Sequence, residues 1–272
     1  MDTRLQPIYL LADSQLLFWK DRERLFLRSI RERLPQAAPK AAYLGASNGD
    51  DPQFYSIFEA AMEGIGIRDC RMIPSTFSAE DARFVNEADL ILLAGGDVGR
   101  GWQVFEETGL KEMIPRRYEH GGLLIGISAG AVQLGMFGLV QAEGEVNQLI
   151  DTFKLVPFII SPHEEKQEWN SLQETIRLLN GAMKGIGIPA GGGMAFYPDQ
   201  TVEAIRHPLY EFAVKDGVLT LRGQILADEL PKVLRAARFV RGVKGIDNQF
   251  EVHERAGNVA ALQGQPQPLG AR

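Results

Sequence analysis

The stretch Gly121-Gly122-Leu123-Leu124-Ile125-Gly126-Ile127-Ser128-Ala129-Gly130-Ala131-Val132 decides how this chain is read. Leu123-Leu124-Ile125 is a short apolar run bounded by glycines, the pattern of a strand covered on both faces. It stops in Gly126-Ile127-Ser128-Ala129-Gly130, a Gly-x-Ser-x-Gly pentapeptide. Small residues on either side of such a serine let the backbone turn sharply and present the hydroxyl at the strand's C-terminal end. A helix is expected to open at Ala129, placing free N–H groups and a partial positive charge beneath the hydroxyl. The pentapeptide alone is short enough to recur as a structural turn; its strand-turn-helix context favours a nucleophile.

Working outward toward the N-terminus, strands are expected over 7–12, 41–45, 71–73 and 89–94, and helices over 14–34, 52–63 and 78–87. Pro35 ends the first helix, and Ser78 caps the third, with Asp81 three residues on. The apolar run over 89–94 leads straight into Gly95-Gly96-Asp97. Alternating strand and helix predicts an α/β fold, a flavodoxin-like three-layer sandwich with a mostly parallel central sheet. Sites in such sheets form beyond the carboxyl ends of the strands, so Gly95 and Gly96 fall on the same edge as Ser128. Two readings stand side by side there. The glycines close a tight turn, or an N–H from this loop joins that of Ala129 as an oxyanion hole.

Toward the C-terminus, residues 99–120 read as helical with breaks near Thr108-Gly109 and Pro115, and 129–135 as a short helix. Residues 136–153 read as irregular or as a β excursion. An apolar strand over 155–160 is followed by Ser161-Pro162-His163, which delivers a histidine to a strand end and makes it the candidate general base. His120, His207 and His253 lie before the elbow strand, in a Pro-flanked turn and in the tail. A helix over 164–180 carries Trp169, Leu172, Ile176 and Leu179 on one face, with Glu164 and Glu165 at the positive end of its dipole. Strands over 193–197 and 201–205 and a hairpin of 210–214 with 218–221 across Asp216-Gly217 follow. A helix over 230–240 precedes a Gly-, Gln- and Pro-rich tail expected to be disordered over 263–272.

Composition narrows the function classes. The 272 residues are 45% hydrophobic and 24% charged, as in ordinary globular proteins. With 29 basic against 35 acidic residues the net charge is −6, which argues against nucleic acid or an anionic membrane as a partner. No signal-peptide h-region or membrane span is visible, so a cytoplasmic location is expected. A single cysteine, Cys70, leaves no disulfide framework or cysteine zinc cluster and reads as a reduced structural thiol. No metal or cofactor is expected.

The Gly-Ile-Ser-Ala-Gly-Ala elbow, the earlier strand ending in Gly-Gly plus a polar residue, and the Pro-His after a later apolar strand together resemble the serine peptidases of the dipeptidase E and cyanophycinase family, relatives of the class I glutamine amidotransferases in fold. The resemblance spans roughly residues 7–223. It implies Ser128 as nucleophile, His163 as general base, and Gly96 and Ala129 as oxyanion donors, acting on a small peptide-like substrate. Asp97 and Lys166, beside the loop and the histidine, are taken as substrate-binding candidates. On this reading residues 1–225 form the peptidase-like domain and 226–272 a C-terminal helix and partly disordered tail; a homodimer is open. Serine rather than cysteine at the elbow argues against amidotransfer.

Two departures from the family pattern matter. The family places an acid in a Gly-Ile-x-x-Asp/Glu segment to orient the imidazole, where this chain has Gly187-Ile188-Pro189-Ala190. A Ser128–His163 dyad with a neutral acceptor is therefore expected, with Glu164, Glu165 and Asp199 as the other acceptors within view. The family cuts next to aspartate, but Glu164-Glu165-Lys166-Gln167-Glu168 stands where some members carry arginines after the histidine, so acidic P1 residues are not expected to be preferred. The other function class is a non-catalytic relative that binds a small ligand or a protein.

Overall fold

The computed structural model describes residues 5–34, 38–140, 147–215, 217–238 and 243–254. Its main sheet has seven strands in the order Val202–Ile205, Gly193–Phe196, Ile8–Leu11, Leu123–Ile127, Leu90–Leu93, Lys40–Leu44 and Asp69–Ile73. The five from Ile8–Leu11 to Asp69–Ile73 run parallel, and the other two add an antiparallel edge. The elbow strand lies between Ile8–Leu11 and Leu90–Leu93, with Leu11 opposite Ile127 and Leu93 opposite Gly126.

Successive side chains of a strand point to opposite faces, and here both faces are dry. Ile8, Leu10, Ile91, Leu93 and Leu124 pack into one apolar layer, with Trp102, Phe105 and Ile114 from the helices Val98–Thr108 and Leu110–Glu119. Tyr9, Leu11, Leu90, Leu92, Leu123 and Ile125 pack into the other, with Phe58 and Met62 of helix Pro52–Glu63 and Leu27 and Ile30 of helix Phe26–Arg31. The result is the expected three-layer α/β sandwich.

A second sheet of five strands runs Ile159–Pro162, Gly185–Ile188, Tyr210–Lys215, Val218–Leu226 and Gly245–His253. It has its own core, in which Trp169, Leu172, Tyr210, Phe212 and Leu221 meet Val233 and Ala237 of helix Leu230–Arg238. The expected hairpin is thus the middle of a larger sheet, completed by Gly245–His253 in parallel with Val218–Leu226. The segment expected to be disordered, 263–272, lies outside the described residues, as do Pro35 and the end of helix 230–240.

Several local expectations are corrected. The helix over 14–34 is replaced by a 3-10 turn Ser14–Leu17, a small hairpin of Lys20–Asp21 with Arg24–Leu25, and a helix reduced to Phe26–Arg31. Asp13 caps the 3-10 turn by accepting from the Gln15 N–H at 2.9 Å, and Arg22 and Glu23 both take positive φ in the hairpin turn. Of Leu17, Phe18, Leu25 and Ile30, whose spacing suggests the helix, Leu17 and Ile30 reach one core while Phe18 is exposed. The helix over 164–180 shrinks to Asn170–Leu178, because Glu168 and Trp169 are left-handed at φ 54° and 61° and break its start. Glu164 and Glu165 therefore do not sit on its dipole. Within 136–153 the described residues make a β excursion, Phe137–Val140 pairing antiparallel with Gln148–Asp151. The strand expected over 155–160 forms at Ile159–Pro162, which carries His163 directly off its end.

Candidate active site

The elbow depends on missing side chains. Ser128 takes φ 49°, ψ −110°, a conformation that costs an ordinary residue of order 1–3 kcal/mol and persists only where packing enforces it. A Cβ at Gly130 would lie 2.2 Å from the Leu93 carbonyl oxygen, and one at Gly126 2.5 Å from the Gly130 oxygen, so neither position admits a side chain. Hydrogen bonds from Ser128 N–H to Leu11 O at 2.9 Å and from Gly130 N–H to Ala94 O at 3.1 Å lock the turn to the two flanking strands.

His163 arrives from the other sheet. Its N–H donates to Ile188 O at 2.8 Å, its backbone is left-handed at φ 47°, and its ring Nε2 lies 2.8 Å from Ser128 Oγ. The two residues are 35 positions apart in sequence and are brought together where strand Ile159–Pro162 packs against the short helix Ala129–Leu134 that follows the elbow. That distance is within the reach required of a nucleophile and its base.

The Gly95-Gly96 loop closes over the same point. A Cβ at Gly96, which has φ +132°, would sit 2.2 Å from Ser47 O, and one at Gly95 3.2 Å from Ser128 Cβ. The turn Ala46–Asn48 is the buttress. Ser47 O accepts from Asp97 N–H at 2.8 Å, while Gln133 Nε2 donates to Ser47 Oγ at 3.1 Å and to Val98 O at 3.0 Å. Among the described residues the N–H groups of Gly96 and Ala129 donate to no acceptor, and both residues line the cavity beside Ser128 and His163. Nothing in the sequence singled out Ser47 or Gln133; their only signal is that both are polar yet buried, which requires the fold.

The remaining site candidates separate. Asp97 caps helix Val98–Thr108 by accepting from the Arg100 N–H at 2.7 Å, and Lys166 is exposed on the 3-10 turn Glu165–Gln167; neither lines the two cavities that meet at Ser128. Ala190 is exposed. Of the three carboxylates considered for His163, Asp199 accepts from Thr201 N–H and Oγ1 in the turn after Phe196, which pairs with Ile8 at the far end of the strand from Ser128. Glu164 is held by the hydroxyls of Ser161 and Ser171. Glu165 is buried, and its Oε1 accepts from the N–H of Ala190 at 2.6 Å. Burial pushes the Glu165 carboxyl above its usual range, opposed by the Ala190 and Glu165 N–H groups and by the charge of His163. Ring Nδ1 of His163 has no hydrogen-bond partner among the described residues. Cys70 is no rival nucleophile: burial pushes its thiol up to about 11. Among the described residues no helix is long and apolar enough to cross a membrane.

Comparison with known proteins places the chain in a family. An uncharacterized peptidase, YgaJ, of Bacillus subtilis (strain 168) is 26% identical over 117 residues, 41% of this chain and 49% of that protein, so the alignment spans about half the relative's length. The crystal structure of a peptidase from an acI-B1 Actinobacterium superposes with a TM-score of 0.55 at 15% identity, covering 76% of this chain and 91% of the other. A peptidase E-like protein from Listeria monocytogenes EGD-e gives 0.54 at 18% identity, covering 74% and 98%. At such identities these structures speak for the fold alone. Residues 8–203, from the first strand of the main sheet to its antiparallel edge and including the elbow, the glycine loop and the histidine, match Peptidase family S51, and the chain belongs to that family.

Proposed function

We propose that the chain is a serine hydrolase that cleaves a peptide or amide bond in a small peptide-like substrate through an acyl-enzyme on Ser128. The observation that carries this reading is the 2.8 Å contact between Ser128 Oγ and His163 Nε2 at a strained elbow. Oγ attacks the carbonyl carbon as its proton passes to Nε2, and the carbonyl π electrons move onto oxygen. The oxyanion is met by the free N–H groups of Gly96 and Ala129. Its collapse breaks the C–N bond, with the proton on Nε2 going to the leaving amine. Water, deprotonated by the same imidazole, then releases the acid and restores Ser128. Acid quenching during the first turnover of an activated ester should show the chain heavier by one acyl group, with a burst of leaving group near one per chain. A chain with no adduct and no burst would favour the ligand-binding relative instead.

The imidazolium formed in each step needs a counter-charge. A neutral acceptor was the expectation from Ala190; Glu165 offers a carboxylate instead, buried beside His163 and fixed by the N–H of Ala190 itself. In this account Glu165 is a positioning residue that stabilises the imidazolium through space. Glu165→Gln keeps an oxygen for the Ala190 N–H and removes only the charge. Turnover should fall roughly 10- to 100-fold, short of the about 10⁴-fold lost when a directly bonded triad carboxylate is neutralised.

Stability should move the other way. A carboxyl whose folded pKa is raised contributes stability at low pH that is lost as pH rises through that pKa, so at neutral pH its charge is a cost. Glu165→Gln should therefore melt at least as high as the parent near neutrality, with the difference vanishing in acid. Lower turnover together with a lower melting temperature would assign Glu165 a structural role only.

A further inference from the structure

The Ser128–His163 pair opens onto a cavity of about 280 Å³ at the carboxyl ends of the central strands. Leu17, Phe54, Ile57, Phe58, Leu92 and Ile127 form its walls. Phe54 and Ile57 stand one helical turn apart on helix Pro52–Glu63 and are 48% and 36% exposed, while Phe58 beside them is buried at 1%. A water-facing phenylalanine and isoleucine at the mouth of an apolar cavity, next to a nucleophile, mark a surface that gains by being covered.

Charge points the same way. Among the described residues lining this cavity there is no lysine or arginine, and the one carboxylate, Asp13, accepts from the N–H groups of Gln15 and Gly191. A second cavity, of about 210 Å³ on the other side of the pair, is also without a lysine or arginine among its described lining and carries Glu164. A substrate carboxylate entering either would lose its hydration with no lysine or arginine to pair with and would face a like charge. An alkyl or aromatic side chain loses only unfavourable contact with water.

We infer that the cavity bounded by Leu17, Phe54, Ile57 and Ile127 is the substrate side-chain pocket, and that it takes a large apolar residue, leucine, methionine or phenylalanine in kind, flanking the scissile bond. The inference deepens the hydrolase reading and rests on it. Specificity would then come from shape and dryness, with Asp13 at the wall turning acidic residues away.

The experiment profiles cleavage of a peptide library varied at the residues on both sides of the bond, using the parent, Phe54→Ala and Ile57→Arg, with fluorophosphonate labelling of the parent in parallel. The expected result is at least a tenfold preference in kcat/KM for large apolar over acidic residues at one flanking position, since each methylene in a fitted pocket is worth about 10-fold or more. Phe54→Ala should reduce that preference about tenfold. Ile57→Arg, which sets a cation at the mouth, should lower cleavage of apolar peptides and raise that of acidic ones. Both sites are partly exposed, and circular dichroism checks that the fold is kept. A parent that labels at Ser128 but prefers aspartate or glutamate, or an apolar preference that survives both substitutions, overturns the pocket while leaving the hydrolase standing. A parent that neither labels nor cleaves overturns both.

Discussion

His163→Ala should lower kcat by about 10⁶-fold, the order seen when the base of a serine nucleophile is removed. The size follows from geometry, since among the described residues Nε2 at 2.8 Å is the only ring nitrogen that hydrogen-bonds Ser128 Oγ and no second histidine lines the two cavities there. The backbone adds a condition to the test. At φ 47° position 163 is left-handed, which alanine tolerates less well than asparagine. His163→Asn is therefore the companion variant, expected to match the parent in melting temperature and to be as inactive as His163→Ala. Activity retained in both would place the base elsewhere.

Ser128→Ala should cost about 10⁶-fold in kcat, leaving only what the oxyanion donors and substrate binding provide. Its effect on stability should be small, because alanine keeps the Cβ that makes φ 49°, ψ −110° unfavourable. Ser128→Gly should be equally inactive but melt higher than Ser128→Ala, since glycine reaches that region without strain. That ordering is a direct measure of strain held at the elbow. A Ser128→Gly variant less stable than Ser128→Ala would mean the serine conformation is not a burden on the fold.

The sheet was legible because burial on both faces leaves little ambiguity. Leu123-Leu124-Ile125 and Leu90–Leu93 are uninterrupted apolar runs, and the glycines after them mark where the chain must turn. The elbow was legible for the same reason, since the collisions that exclude side chains at Gly126 and Gly130 are written as glycine. The segment after Asp13 was not. Its apolar spacing fits a helix, and the charged Arg22-Glu23 turn lacks the glycine or asparagine that announces a hairpin. The second sheet was half legible, as Asp216-Gly217 gave away its hairpin while the glycine-rich strand Gly185–Ile188 carries too little side chain to show a pattern. A Cβ at Gly187 would lie 2.8 Å from the Trp169 ring, so the small residues there make room for a buried indole.

The acid is the instructive case. Reading by family position directs attention to Ala190, whose backbone, not its side chain, carries the interaction. Glu165 sits two residues from His163 in a run of charged residues that looks like a solvated helix start. Only the left-handed break at Glu168 and Trp169 turns that run into a tight 3-10 turn with one carboxylate facing inward.

Labelling the full chain with a fluorophosphonate and mapping the adduct by peptide mass spectrometry tests Ser128 as the nucleophile. One adduct is expected, on the peptide containing Ser128, absent in Ser128→Ala and formed far more slowly in His163→Asn. An adduct on another residue, or none under conditions that label a control serine hydrolase, would contradict that role.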